Sequence, residues 1–411
     1  MAGIALPADE NETAPLPNPA DELARWRRWL ILTILLSGGI KTTLAFTTVV
    51  PALQLISDYF SGTGDDVLNA QMIVTMAPVG MAVAGLLAGW VVGKGNLRRT
   101  LFVSLGICAM AGLAQLVIES LYVLLVSRFF LGVAVVTSDV AMTSILAAQF
   151  AGKTRSRIIG FRQAISSTGT VTTMLAAGWL AQHYGWRAPS WMFLFPLLML
   201  VLAVIAWNRP IDIGKRQAVT ERFNALQLWP LFLLSTITST AHAMPSFQMP
   251  FLLETNGITS AVLVSRVPAL SAFISVLSAM AFGYIYGRVG RVTLMLAAIF
   301  MGVGFIGVAF APTYELILLC VIVEGVGAGL TIPYFQARLL DRISPLQRSK
   351  AIGFLTTSLF LGHFLNPLVT APLRLNFGIH NAFLIFGLFL IIGAAILAVW
   401  AGRTRRTESV I

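Results

Sequence analysis

The sequence predicts an all-α polytopic membrane protein with twelve transmembrane helices in two pseudo-symmetric six-helix halves. Three observations carry that reading: the composition, the recurrence of uncharged apolar runs about one bilayer long, and a repeat that copies the first half onto the second. Of 411 residues, 57% are hydrophobic and 11% charged, against roughly 45–50% and about 25% in soluble domains. Such an alphabet cannot cover a water-soluble surface. The 28 Lys and Arg outnumber 17 Asp and Glu, for a net charge of +11. They fall in short clusters between apolar runs and form no continuous stripe, which argues against a nucleic-acid surface. Cys108 and Cys320 each sit inside an apolar run, which excludes a disulfide scaffold. No HExxH, CxxC, GxSxG or GxxxxGK(S/T) spacing occurs, so nothing predicts an enzyme, a metal site or a cofactor.

In chain order, Met1 to Leu23 is rich in Pro, Asp, Glu and Asn and has no basic start before an apolar core. It reads as neither signal peptide nor span, and residues 1–24 are expected as a disordered cytoplasmic tail. Six apolar runs follow in residues 25–207: Trp29 to Leu53, Ala70 to Val92, Leu101 to Leu121, Tyr122 to Phe150, Ile158 to Ala181, and Trp191 to Trp207. A charged linker, 208–224, separates them from six more in residues 225–402. These are Leu228 to Leu253, Ala261 to Tyr286, Val292 to Ala311, Tyr314 to Ala337, Ala351 to Leu373, and Asn381 to Trp400. A short tail, 403–411, ends the chain. Each run is long enough to cross hydrocarbon as a helix, the one form in which a single span satisfies its own backbone; the period-two pattern of a barrel is absent.

Basic residues orient the spans. The segments that share one side, including Arg162 at the start of the fifth span, hold 23 of the 28 Lys and Arg. The opposite side has only Arg187 and Arg374. Both termini are therefore expected in the cytoplasm, and in a bacterium the membrane would be the inner one. Lys41, Arg128 and Arg266 fall within spans.

The chain also copies itself. Gly89-Trp-Val-Val-Gly93-Lys94 recurs as Gly283-Tyr-Ile-Tyr-Gly287-Arg288 at an offset of 194, and Arg155-Ser-Arg-Ile-Ile-Gly160-Phe161 as Arg348-Ser-Lys-Ala-Ile-Gly353-Phe354 at 193. Two independent matches at one spacing imply duplicated halves.

With these motifs the chain resembles the major facilitator superfamily of secondary transporters from Trp29 to Trp400. The family's loop signature after helices two and eight is similar to Gly89, Gly93, Lys94 and to Gly283, Gly287, Arg288, Gly290, Arg291. Glycine stands in both copies where the family has an Asp thought to help latch the cytoplasmic face, and Asn96 replaces a second Gly. Arg128-Phe-Phe-Leu-Gly132 resembles the family's helix-four Arg-x-x-x-Gly, often linked to proton coupling, and Gly185-Trp186-Arg187 is also familiar. The helix-five Gly-Pro of drug antiporters is replaced by Thr173-Met174, although the related position in helix eleven reads Asn366-Pro367. The resemblance implies a central cavity lined by helices one, four, seven and ten.

A charge at bilayer centre costs about 2.5–3.5 kcal/mol on insertion scales, which makes each intramembrane ionisable group a functional candidate. Arg128 and Asp139 are eleven residues apart, three circuits plus about 20°, so they share a face about 16 Å apart in rise. Lys41 can reach Asp139, and such a pair can exchange a proton when its partners separate; a static pair that only lets both residues enter the membrane is the alternative. Glu324 has no evident counter-ion in its half except Arg266, which lies nearer the external end. It reads as a proton carrier, or as a carboxyl that only bonds a neighbouring helix. The Glu324-Gly-Val-Gly-Ala-Gly329 run with Pro333 suggests close packing or a gating bend. Proton-coupling candidates are thus Glu324, Asp139 and Arg128. Substrate-binding candidates are Lys41, Thr42, Phe46, His242, Gln248, Tyr334, His363 and Asn366, each with core packing as the alternative.

The expected function is alternating-access transport of a small organic solute, anionic or polar, by proton-coupled export. Uptake of an organic acid is the competing direction, and a non-transporting receptor the competing class. Expected partners are the solute, protons and membrane lipid, with no nucleic acid, and the protein is expected to work as a monomer.

Overall fold

A computed structural model describes residues 19–60, 66–94, 97–149, 152–207, 224–344 and 347–408. The linker expected at 208–224 lies outside these residues except for Asn224. All regular elements among the described residues are helices. In the first half α1 (Pro19–Thr47) passes through a 3-10 turn at Val50–Ala52 into α2 (Leu53–Tyr59). Then come α3 (Asp66–Lys94), α4 (Leu97–Leu113), α5 (Leu121–Gln149), α6 (Gly152–Tyr184) and α7 (Leu194–Ala206). In the second half α8 (Trp229–His242), α9 (Met244–Phe247) and α10 (Met249–Thr255) are pieces of one interrupted run. They lead to α11 (Ala261–Val289), α12 (Val292–Phe310), α13 (Tyr314–Leu340), α14 (Arg348–Phe377) and α15 (Ile379–Glu408).

Ten of these segments are long and apolar enough to cross a membrane, and the protein is an integral multi-pass membrane protein. They correspond to ten of the twelve expected runs. The other two are α6, whose Ser166 to Thr173 stretch is dominated by hydroxyls, and α8 to α10, which is interrupted near Pro245 and Pro250. Proline cannot donate to the helical ladder and its ring crowds the preceding turn, so it favours a break. Pro51 lies in the turn between α1 and α2 and stands 194 residues before Pro245.

Three sequence boundaries move. Helix α1 begins at Pro19, inside the segment expected as a disordered tail, and α15 runs to Glu408, inside the expected C-terminal tail. The signature expected as a loop at Gly283 to Arg291 is helical through Val289, and the chain turns only at Gly290, whose φ is +53°. Apolar and aromatic residues between the glycines let the helix continue; only Gly290 adopts a backbone that a side chain would oppose.

Pseudo-symmetry is visible where helices cross. A Cβ on Gly132 of α5 would strike the Ala77 carbonyl of α3, and a Cβ on Gly325 of α13 would meet the Ser271 carbonyl of α11. Gly132 and Gly325 differ by 193, Ala77 and Ser271 by 194. The duplicated sequence therefore brings backbones together at equivalent places.

The cores reveal how the halves meet. Toward the face that carries most Lys and Arg, here the basic face, Ile34, Leu101, Ile145 and Trp207 form a core within the first half alone. Leu231, Tyr334, Phe335 and Leu355 form another within the second. Toward the opposite face one core is shared: Val49, Leu53 and Ile73 pack with Phe247, Phe251 and Ala269. A seam between α3 and α14 continues toward the basic face, where the Thr357 hydroxyl donates to the Ala82 carbonyl at 3.0 Å.

Candidate functional site

The intramembrane charges of the first half collect around one carboxylate. Lys41 of α1 is fully buried; its Nζ donates to the Val135 carbonyl at 3.2 Å and to Asp139 Oδ1 at 3.4 Å. Arg162 of α6 donates to the same oxygen, and through its other terminal nitrogen to the Thr143 hydroxyl. Arg162 is thus a partner within the helix bundle and not a solvated charge of the basic face. Its position near the start of the fifth span reads as basic flank, yet eleven positions into α6 it reaches Asp139 and Thr143 of α5. One carboxylate facing two cations leaves an excess positive charge, and Asp139 keeps 37% of its side-chain surface accessible. Such an arrangement can trade one ion pair for another when an external anion arrives.

Arg128 lies on α5 with Asp139, but its guanidinium turns to neutral acceptors. It donates to the Ala45 carbonyl at 3.3 Å and to Gln115 Oε1, while its Nε has no partner. It ties α1 and the 3-10 turn Ala114–Leu116 after α4 to α5, and forms no ion pair among the described residues. Glu324 is likewise buried in helix packing: Ser271 of α11 donates to its Oε2 at 2.7 Å, and Oε1 has no partner. Arg266, the basic residue considered for it, is exposed near the start of α11. The glycines beside Glu324 serve close approach. Gly325 and Gly329 abut α11, Gly327 abuts α12, and α13 runs unbroken across them.

Aromatic and imidazole rings gather across the halves. Phe46 of α1 lies 6.4 Å from Phe360 of α14 with ring planes 15° apart, and 5.7 Å from His363. His363 in turn lies 6.0 Å from His242 and 6.1 Å from Phe247. Its Nδ1 is 2.9 Å from the Leu359 carbonyl and 3.0 Å from the Ser239 hydroxyl. By contrast, His242 Nδ1 and Thr42 Oγ1 are buried without partners. Tyr334 belongs elsewhere, edge-on to Tyr286 in the second-half core.

Gln248 and Asn366 sit in a buried amide network. Gln248 Nε2 donates to Asn366 Oδ1 at 2.9 Å and Thr370 Oγ1 at 2.6 Å; Gln71 of α3 donates to Gln248 Oε1 at 3.0 Å; Asn366 Nδ2 donates to the Thr240 carbonyl at 2.8 Å. Nearby, Gln54 of α2 donates to the Pro250 carbonyl. The Gln71 and Gln54 bonds cross between halves toward the face opposite the basic one, and the other three tie the second half together. Gln54, Gln71, Arg162 and Ser271 were not singled out from sequence. A usable signal existed for one pair, since Pro51-x-x-Gln54 recurs as Pro245-x-x-Gln248 at the repeat offset of 194. Beyond this network Glu254 follows the last apolar residue of α10. Desolvation, then the charge of Asp58, raises its carboxyl pKa above the usual value.

Of the expected gating residues, Gly89, Gly93 and Lys94 fall in the last turns of α3, and Gly283, Gly287 and Arg288 in those of α11. The Arg288 guanidinium stacks 4.1 Å over the Tyr284 ring. Arg291 precedes α12 as its N-cap residue.

Comparison with known proteins gives a consistent result. Residues 30–300 and 231–411 match the family model described as Major Facilitator Superfamily. The chain is 24% identical over 418 residues to multidrug resistance protein MdtG of Escherichia fergusonii, covering 95% of this chain and 98% of that one. It is 25% identical over 167 residues to the cis,cis-muconate transport protein of Acinetobacter baylyi; that alignment covers 39% of this chain and only 40% of the relative. The nitrite extrusion protein of Bacillus subtilis is 24% identical over 267 residues, covering 62% and 65%. A D-xylose-proton symporter superposes with a TM-score of 0.69 at 15% identity, covering 90% of this chain and 96% of that one. The nucleoside transporter NupG superposes with a TM-score of 0.69 at 18% identity, covering 89% and 99%.

Proposed function

The chain belongs to the major facilitator superfamily of membrane transporters, and from that premise we propose that it exports a small organic anion by proton-coupled alternating access. The observation that carries this reading is the single Asp139 carboxylate facing both Lys41 and Arg162. An anionic solute can replace Asp139 on one cation and leave the other pair intact, so binding costs less than breaking an isolated buried ion pair.

The basic face is the cytoplasmic one in this reading, with both termini on that side, because 22 of the 28 Lys and Arg lie there once Arg162 is set aside. The shared core and amide bonds on the other face then correspond to a state closed toward the outside. Opening it requires the halves to part at Gln71–Gln248 and Gln54–Pro250 and to close at the basic face. No family Asp stands at Gly93 or Gly287 to latch that closure.

Glu324 is the proposed proton carrier, with Asp139 the second titrating group. Its orphan oxygen and its single hydroxyl donor leave the carboxyl able to exist in either protonation state without breaking an ion pair. Arg128 is proposed to hold α1 and the turn after α4 against α5 during the cycle. Relatives named for multidrug resistance and nitrite extrusion support export.

The test is flux in proteoliposomes against a panel of organic anions, neutral solutes and cations, with and without an imposed pH gradient. Accumulation of an anion driven by that gradient supports the proposal. Accumulation of neutral or cationic solutes alone overturns the anion reading, and solute binding without flux under any gradient supports a receptor.

A further inference from the structure

We infer that the ring cluster of Phe46, Phe360, His363, His242 and Phe247 holds the flat, unsaturated body of the solute, so that the transported anion is a planar conjugated or aromatic carboxylate. This deepens the organic-anion reading and rests on it. The cluster is built from α1 on one half and from the α8 to α9 run and α14 on the other. A ring bound there touches both halves at a point where they must move apart.

Three features distinguish the cluster from ordinary core packing. First, the rings are arranged for a further aromatic partner: Phe46 and Phe360 are near parallel at 6.4 Å, while Phe247 and His242 stand steeply tilted to the His363 plane. Ring faces and ring edges carry opposite partial charge, so this set offers both stacking and edge contacts to a flat guest. Second, polar atoms at the cluster lack partners. His242 Nδ1 is buried and unbonded, and so is the hydroxyl of Thr42, which sits one helical turn from Phe46 on the same face of α1. A packed core closes such atoms with hydrogen bonds or replaces them; a solute carrying a ring hydroxyl or carbonyl would complete them.

Third, the charge lies within reach. Lys41 stands five residues before Phe46 on α1, a rise of about 7.5 Å and a rotation of about 140°, so a solute about one aryl carboxylate long must pass obliquely around α1 from the rings beside α14 to the charge beside α5. Lys41 and Arg162 would then hold the carboxylate, while the rings hold the body. A saturated ring of equal size could fill the same volume but would forfeit the stacking contacts.

The experiment measures binding to the purified full-length protein in nanodiscs. Benzoate and 2-naphthoate are compared with cyclohexanecarboxylate and decahydronaphthalene-2-carboxylate, and benzyl alcohol serves as a neutral aromatic control. The expected result is a roughly tenfold preference for each flat acid over its saturated counterpart, the size of an aromatic contact. Phe46→Leu should erase the preference by weakening the flat acids more than the saturated ones, and Phe46→Tyr should restore it. Phe360→Leu, checked for a monodisperse elution profile, provides a second reading from the other half. Equal binding of flat and saturated acids overturns this inference and leaves the organic-anion reading standing. Benzyl alcohol binding as tightly as benzoate supports the ring cage and overturns the anion reading, whereas absence of binding by every probe overturns both.

Discussion

Lys41 Nζ lies 3.4 Å from Asp139 Oδ1, and its other hydrogen bond goes to the Val135 carbonyl, one turn earlier on the same helix. The lysine therefore remains anchored to α5 even when the carboxylate is taken from it. Asp139 keeps Arg162 in the same event. The cluster can exchange partners without leaving a bare charge in the membrane.

Lys41→Ala and Arg162→Ala should each weaken anion binding by roughly 10- to 100-fold, the range of a charge-assisted hydrogen bond. Arg162→Lys should recover only part of the loss, because an ammonium cannot bond Asp139 and Thr143 through two terminal nitrogens as the guanidinium does. Equilibrium binding titrations check both. Undiminished affinity in Lys41→Ala would remove Lys41 from the site.

Glu324→Gln should abolish solute accumulation driven by a pH gradient while leaving solute exchange near the wild-type rate. The amide can still accept from Ser271, so packing survives, but it cannot titrate. Parallel counterflow and pH-jump assays separate the two. Accumulation that persists would move the proton to Asp139.

Gln71→Leu and Gln248→Leu should destabilise closure at the face opposite the basic one. Each lost net hydrogen bond contributes about 1 kcal/mol, so the open fraction should rise roughly fivefold. A cysteine placed at Thr370 would report this as faster labelling by an impermeant thiol reagent. Unaltered labelling in both variants would mean that the shared apolar core closes that face alone.

Acidification on that face should favour closure. Glu254 has a raised pKa in the closed arrangement through desolvation and then Asp58, so that state holds the proton more tightly than one in which both influences are relieved. Closure is opposed as pH rises from the usual glutamate value of about 4.3 through the raised one. The surrounding charges include Arg374, stacked 5.5 Å from the Phe251 ring, and His380, 3.4 Å from the Thr255 hydroxyl. Glu254→Gln should flatten the dependence of labelling at position 370 on pH; an unchanged profile would remove Glu254 from the closure.

A reporter active only outside the cytoplasm should give signal when fused after Asp65 and none after Arg216. The reverse pattern would invert the assignment of faces.

The membrane architecture was legible because composition and span length are one-dimensional properties, and the duplicated motifs lie at one offset. Lys41 with Asp139 was legible for a similar reason, since few charges occur in spans and their depths can be compared. Arg162 was not. A residue near the start of a span reads as its basic flank until the next helix is seen beside it, and only the packing of α1, α5 and α6 brings it to Asp139. The role of Gln248 and Asn366 in an interhelical network was equally hidden, because a buried amide has the same sequence signature whether it meets solute or another helix. Glu324 shows the opposite case: its lack of a charged partner was readable, but the donating Ser271 belongs to a helix whose register is fixed by the close approach of Gly325 and Gly329 and by hydrogen bonds from Ser275 and Ser278.

The interrupted α8 to α10 run and the hydroxyl-rich α6 also bear on how the chain enters its membrane. The first consists of pieces too short to cross alone, and α6, though 33 residues long, lacks the hydropathy that marks the other ten segments. Partitioning into lipid favours uninterrupted apolar helices and penalises exposed polar backbone. Both segments therefore depend on neighbours during biogenesis, α6 on α1 and the α8 to α10 run on α14, with which they pack in the finished bundle. Because α14 is synthesised more than a hundred residues after α8, the second half must wait for a late partner before its first crossing is secure.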